Sequence, residues 1–432
     1  MDILVLSVIA RNGGQKVSIK SIEVKNFKSF KDLRVDLGNF NVIIGANASG
    51  KSNFVNIFKF LRDIVNLGLD NAISLQGDVE YLRNINIGAS ENTTIKIISD
   101  KEFEMVYRTK TGLIGIKTYE TIYEFALRFH KRGSGFRIAK DRLIQKVEFF
   151  KFEKMKNDIK ENGKLGDGKI IISRSNKKVK IDFIKPKKTE LKKEDIYPPF
   201  LWEYKLSNHT LLLETPFFLM CPLESIFSKI SIYDFDPKLP KKATQITGKA
   251  ELEENANNLS IILKKIIENK DNKRKFFNLV KEHLPFVEKL NVEKFADKSL
   301  LFKLSESYFR NKYLPATLIS DGTINITALI VALYFEEKPF VIIEEPERNI
   351  HPYLISKLVE MIKDASQHKQ ILVTTHNPEF VKYAGLGNIL LVSRDNNGFS
   401  IISRPYDKIE VKNFLKNDIG IEELYIQNLL EV

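Results

Sequence analysis

With one cysteine in 432 residues, Cys221, the chain has no disulfide framework and no Cys-rich zinc site, which fits an intracellular, reducing location. No run approaches the ~18 apolar residues that span a bilayer, so no membrane partner is expected. The opening MDILVLSVIARNGG has a short apolar stretch but no basic residues before it, and it does not read as a signal peptide. No heptad series is sustained and no short repeat recurs, which excludes a long coiled coil and a solenoid. What remains is a cytoplasmic globular chain, 43% hydrophobic and long enough for two or three domains.

Cations are plentiful and unevenly placed. Residues 101–200 carry 26 Lys and Arg against 14 Asp and Glu, nearly all of the net +13. A basic segment is the electrostatic footprint of a polyanion binder. A Lys-rich compositional bias has the same effect, and charge leaves both readings open.

The strongest local signal is 45-GANASGKSN-53, set between the apolar strand 40-FNVII-44 and the periodic run 54-FVNIFKFLRDI-64. Gly45 and Gly50 let the backbone turn its N–H groups toward phosphates, and the helix that follows adds the positive end of its dipole. Lys51 is placed to reach the terminal phosphates and the Ser52 hydroxyl to ligate Mg²⁺. Asn47, Ser49 and Asn53 complete the candidate ATP-binding loop.

Hydrophobic period divides the rest. Residues 17–44 read as three strands, and the helix after the loop repeats Phe54, Phe58, Leu61 and Val65 on one face. From about 94 to 184 the period is two, in strands 94–99, 103–108, 123–129, 147–153, 169–173 and 179–183. The turn-forming pieces 132–135, 162–168 and 184–188 separate them. Residues 255–270 and 273–285 turn helical. From about 297, strands alternate with helices, which predicts a mostly parallel sheet.

The second half also carries acids. The strand 340-FVIIEEPE-347 ends in two carboxylates, with Glu344 placed for the metal through water and Glu345 as general base toward the attacking water. The apolar strand in 373-VTTHNPEF-380 ends at His376, on the edge where open α/β sheets bind ligands; its expected task is to sense the γ-phosphate and hold the attacking water.

Taken in order, 45-GANASGKS-52, 318-LISDGT-323, 342-IIEEPERNIHP-352 and 374-TTHNPEF-380 resemble the ABC-type ATPases of the SMC/RecF/OLD group. The similarity is closest to the compact RecF-like AAA-class ATPases of prokaryotic defence operons, and it covers about 17–100 and 250–430. It implies an α/β P-loop ATPase head with a mostly parallel core sheet, an N-terminal antiparallel β-element, and an inserted β-rich and helical region. The divisions expected are 1–100 for the N-terminal half of the head, 101–250 for a basic β-rich insertion, 251–296 for a helical lid and 297–432 for the C-terminal half. By position, Ser320 and Gly322 fall where the signature meets the γ-phosphate bound by the opposite subunit, and Glu347 to His351 fall on the D-loop. Lys28 lies near the nucleotide in relatives, and Gln76 is the candidate Q-loop residue.

Several features narrow the group. Ala48 stands where many relatives have Gly, Glu344 where most have Asp, and the signature reads SDGT instead of SGGQ. Lys51 and Ser320 are 269 residues apart, unlike transporter ATPases, yet the insertion is too short and strand-rich for an SMC arm. Only 56 residues follow His376, too few for a TOPRIM nuclease. The reading is a Mg-dependent ATPase that closes ATP between two heads as a homodimer or higher oligomer. It couples closure to nucleic acid or to an effector nuclease encoded nearby, in DNA repair or anti-phage defence. The alternative is a DNA clamp, or a regulatory subunit restraining a nuclease, with little turnover.

Overall fold

Strand-forming residues in alternation build much of the first half of the chain. The computed structural model describes residues 19–109, 112–133, 135–154, 159–197, 201, 204–219, 221–246, 249–295, 299–309, 312–417 and 419–430. The opening segment and residues 17 and 18 of the first expected strand lie outside them. Two compact units share the chain: Met1–Gly38, Ser52–Ile230 and Ser393–Ile402 form the first, and Asn39–Lys51, Ser231–Val392 and Ser403–Val432 the second.

The strands begin with β1 (Ile19–Phe27) and β2 (Phe30–Asp36) in the first unit and β3 (Phe40–Ile44) in the second. Then come β4 (Thr93–Ser99), β5 (Phe103–Thr109), β6 (Gly112–Phe129), β7 (Phe136–Lys154), β8 (Ile159–Ser175) and β9 (Lys178–Ile184). The first unit's sheet runs β2-β1-β4-β6-β7-β8-β9 with β5 on β6, and its pairs are antiparallel. In β4 every second residue is buried, as one covered face requires. The covering element is the Lys51–Leu67 helix, whose Phe54 meets Phe30 at 6.4 Å between ring centroids, and whose Phe60 meets Phe27 at 5.9 Å and Phe125 at 6.5 Å. Its buried side chains include Ile57 and Ile64 besides Phe54, Phe58 and Leu61, whereas Val65 is only half-buried.

Two expectations change here. The 162–168 segment is strand, inside β8, not a turn: register shifts opposite Phe149–Phe152 absorb it, with Gly163 (φ 102) and Gly166 (φ 143) in backbone conformations that glycine tolerates. The charge boundary at 100/101 falls within one sheet, since β6 pairs with β4 from Thr93↔Leu127 to Ser99↔Thr121. Cross-strand hydrogen bonding, invisible to composition, makes β5–β9 an extension of the N-terminal β-element.

In the second unit, β10 (Ser231–Tyr233) and β11 (Thr244–Gln245) precede β12 (Val287–Lys294), β13 (Ser299–Glu306) and β14 (Leu314–Pro315). After them come β15 (Phe340–Glu344), β16 (Gln370–Thr374) and β17 (Ile389–Arg394), whose last two residues fall in the first unit, as does β18 (Ser400–Ser403) up to Ile402. One sheet of the second unit has the order β10-β15-β16-β3-β17 and is parallel throughout. The strands β3 and β16 are buried along their whole length, as parallel strands covered on both faces are. A smaller antiparallel sheet joins β11, β12, β13 and β14. The region expected as a helical lid therefore ends in a strand, and its helices belong to the core. Ile262 and Phe276 share one buried cluster with Val42, Ile330, Ile343 and Val373, so apolar faces on Leu259–Glu268 and Lys270–His283 hold them there. Among the described residues no helix is long and apolar enough to cross a membrane.

Candidate active site

Three neighbouring parallel strands, β15, β16 and β3, bring their C-terminal ends to one level. The register Glu344↔Thr374↔Ile43 sets the next residues, Glu345, Thr375 and Ile44, side by side. Two backbone bonds extend the ladder past the strands: Glu345 N–H donates to the Thr374 carbonyl at 2.8 Å and Thr375 N–H to the Ile43 carbonyl at 3.0 Å.

Backbone geometry shapes the loop after β3. Gly45 has φ 145, and a Cβ there would lie 2.1 Å from the Val392 carbonyl oxygen, so no other residue fits. Gly50 has φ 121. Ala48 sits at φ 60, a left-handed conformation that costs a non-glycine residue about 1 kcal/mol and explains why glycine suits this position. The Lys51 ammonium folds back over the loop and donates to the Gly45 and Ala46 carbonyls, each at 2.9 Å. Burial lowers its pKa below the ordinary lysine value, and the charge of Glu345 opposes that shift. Asn47 is exposed and Ser49 buried. A closed glycine turn, a lysine over it and a 17-residue helix starting at Lys51 suit a polyphosphate.

Glu345 itself is left-handed, with φ 45, as the chain turns at Pro346. Arg348 donates from Nε and a terminal nitrogen to Glu345 Oε2 at 3.3 and 3.1 Å, and from its other terminal nitrogen to Asp234 at 2.9 Å. Glu345 Oε1 faces His376 Nε2 at 3.9 Å. Burial holds the His376 ring below the usual imidazole range, Lys51 pushes it further down and Glu345 opposes them. A neutral ring at pH 7 can accept or donate one hydrogen bond. Lys51, Glu345 and His376 thus lie within one electrostatic neighbourhood. Arg348 and Asp234 went unnoticed: the i, i+3 spacing from Glu345 hinted at the first, and nothing local marks the second.

Ser320 is the N-cap of the Asp321–Tyr334 helix, its Oγ accepting the Thr323 N–H at 3.2 Å and pairing with the Thr323 hydroxyl at 2.8 Å. A Cβ on Gly322 would lie 2.7 Å from the Asn349 carbonyl oxygen, so the signature helix sits directly on the segment after Glu345. Asn325 ties the same segment by donating to the Arg348 carbonyl at 2.6 Å.

Residues 40–382, well over half of the chain, match the family described as AAA domain, putative AbiEii toxin, Type IV TA system. The chain belongs to this family. Over 46 residues, 10% of the chain, it is 50% identical to the chromosome partition protein Smc of Methanocaldococcus jannaschii and 41% identical to the DNA replication and repair protein RecF of Lactococcus lactis subsp. cremoris. Those matches span 4% and 13% of the relatives' own lengths. Among solved structures it is similar to an SmcHead bound to the C-winged helix domain of ScpA, with TM-score 0.48 and 15% identity over 89% of this chain and 96% of that one. It is also similar to the SMC head domain from Thermotoga maritima, with TM-score 0.40 and 14% identity over 90% and 99%. Family and motifs together make this an SMC/RecF-like ABC-type ATPase.

Family members of this kind bind ATP with Mg²⁺. Among the described residues no cluster of three or more His, Cys, Asp or Glu forms a metal site alone. Mg²⁺ commonly takes one or two protein oxygens plus substrate phosphates and water; of the two expected ligands, Glu344 is half-buried in the second unit and Ser52 is exposed in the first.

Within the first unit, Asn53 donates to Ser29 Oγ at 2.9 Å, and Ser400 Oγ donates to the same oxygen at 2.8 Å, fixing the β1–β2 turn. Lys28, at φ 47, reaches the Gln76 and Tyr81 carbonyls at 3.3 and 3.4 Å, so Lys28 and Gln76 are neighbours. Lys28 lines a cavity of about 450 Å³ together with Ser29, Asn53, Arg83 and Asn84. Many cations of the basic segment are spent on neighbouring acids: Lys117 on Glu102, Lys140 on Glu124, Lys146 on Glu120 and Lys164 on Glu148, at 2.6–2.9 Å.

Proposed function

We propose that the chain hydrolyses ATP by in-line attack of water on the γ-phosphate and that ATP joins two such heads. The supporting observation is the gathering of Lys51, Glu345 and His376 at the ends of adjacent parallel strands. Gly45, Asn47, Ser49, Gly50, Ser52 and Asn53 complete the nucleotide loop, and Lys51 steadies the charge of the transferring group. Mg²⁺, when bound through Ser52 and Glu344, supplies further neutralisation of phosphate charge. Glu345 accepts the proton of the attacking water, and the neutral His376 ring orients that water. Ser320 and Gly322, at a helix N-terminus, meet the γ-phosphate of the opposite head. Sedimentation of the Glu345→Gln protein with and without ATP and Mg²⁺ tests this: a mass unchanged by ATP removes the two-head arrangement, and a parent protein without phosphate release removes hydrolysis.

A nucleic-acid partner is favoured by one observation. Arg128, Lys131, Arg132 and Arg137 at the β6–β7 turn and Lys177 and Lys178 at the β8–β9 turn are exposed. Alternate turns of an antiparallel sheet share one end, so these cations form a group that can meet phosphates without reading bases. Control of an effector nuclease, in repair or anti-phage defence, is the competing role. Co-purification decides for it where nucleic acid does not bind.

A further inference from the structure

Glu347 lies two residues beyond Glu345, is 8% exposed, and has no task in the reaction as described. A buried glutamate needs partners, and these partners all belong to the site. Its Oε1 accepts the Thr375 hydroxyl, Oε2 has no hydrogen-bond partner, and the nearby His376 backbone favours the charged form of the carboxylate. Thr375 is fully buried; besides its backbone bond to Ile43, its hydroxyl oxygen accepts the Asn377 N–H at 3.0 Å. The peptide carrying His376 is thus held on one side by β3 and on the other by Glu347. The same carboxylate lies in the electrostatic neighbourhood of Tyr425, on the Ile421–Ile426 helix.

We infer that Glu347 is a positioning residue: by gripping the Thr375 hydroxyl it sets where the next residue, His376, stands relative to Glu345. The inference rests on the hydrolytic reading of this site for its kinetic consequence, but not for its geometry. Glu345 and Glu347 leave the same short turn, so the grip fixes the base and the water-orienting ring in one frame. A glutamine at 347 removes the charge and puts an N–H₂ group in place of one oxygen, which weakens the hold on the Thr375 hydroxyl. A valine at 375 keeps the shape and removes the hydroxyl.

The test uses the full chain with Glu347→Gln, Thr375→Val and the double substitution. A displacement approaching 1 Å in a catalytic group costs about 10²-fold, so each single variant should lose about 10- to 100-fold in kcat with KM for ATP nearly unchanged. The double variant should lose no more than the worse single one, because both cut the same link. The second readout needs no turnover: the His376 ring proton resonance, assigned by its disappearance in His376→Ala, should move in the same direction in both variants without nucleotide. An unmoved resonance overturns the inference, even where the melting temperature falls, and so does additive kinetic loss in the double variant. A parent protein without turnover removes the hydrolytic reading alone, and the resonance still decides the positioning role. Should Glu347→Gln fail to fold, Thr375→Val carries both measurements.

Discussion

Replacing Glu345 by glutamine separates ATP binding from ATP chemistry, and its neighbour Arg348 supplies the control. Glu345 Oε2 is held by Arg348 and Oε1 faces His376, so one oxygen is tethered and the other points at the ring. The ion pair is open, with the two side chains 42% and 38% exposed. An exposed pair contributes about 0–1 kcal/mol, which bounds the effect of Arg348→Ala on rate at about fivefold if the pair only orients Glu345. Loss of a general base costs about 10²–10⁴-fold, or about 3–5 kcal/mol of barrier. The Glu345→Gln protein should therefore bind ATP with parental affinity in a fluorescent-nucleotide titration while phosphate release falls by two to four orders of magnitude, and Arg348→Ala should stay within tenfold of the parent. If Glu345→Gln releases phosphate at the parent rate, the base is misassigned and Glu344 at the end of β15 becomes the suspect. If Arg348→Ala falls as far as Glu345→Gln, the guanidinium takes part in the chemistry itself.

Lys51→Ala should abolish ATP binding in the same titration, since its ammonium is the cation over the loop. Ser320→Arg should leave the affinity of the single chain near the parent value yet prevent ATP-dependent dimerisation of the Glu345→Gln protein in sedimentation velocity; its lost N-cap costs about 1 kcal/mol, which a melting curve checks. Reversing Lys177, Lys178, Lys187 and Lys188 to Glu should weaken DNA binding evenly across sequences and flatten the salt dependence, which is about −0.9 in log–log slope for each phosphate neutralised; a parent protein that binds no DNA at low salt with ATP and Mg²⁺ refutes this. In the first unit, the fully buried Asp141 accepts from Tyr123 Oη at 3.0 Å and Leu212 N–H at 2.8 Å, and burial pushes its carboxyl up to about 7. The folded chain holds that proton more tightly than the unfolded one, so this group's contribution to stability is present at low pH and lost as pH rises through about 7. Asp141→Asn should flatten the fall of melting temperature across that window, and an unchanged slope refutes the assignment.

How much of this was legible in the sequence depends on how local each feature is. The phosphate loop was legible because strand, glycine turn and helix are consecutive, and local backbone geometry makes Gly45 and Gly50 necessary. Glu344, Glu345 and His376 were legible because each ends an apolar run, and parallel strands in one sheet must bring such ends to one edge. The family followed from the order of those motifs. The extent of the antiparallel sheet was not legible, since the pairing of β4 with β6 and the bulges that keep 162–168 in β8 depend on partners elsewhere in the chain. Neither was the role of the helices between 259 and 283, whose apolar faces suit a lid as well as a core until their neighbours are known. Arg348 meets Asp234 across 114 positions, and Glu347 meets Thr375 across 28. The sequence by itself determined the chemistry on offer and the strand ends that carry it. Only the tertiary structure decided which side chains hold those groups in place, because a hydrogen bond closes between residues that folding brings together, and spacing along the chain does not encode that meeting.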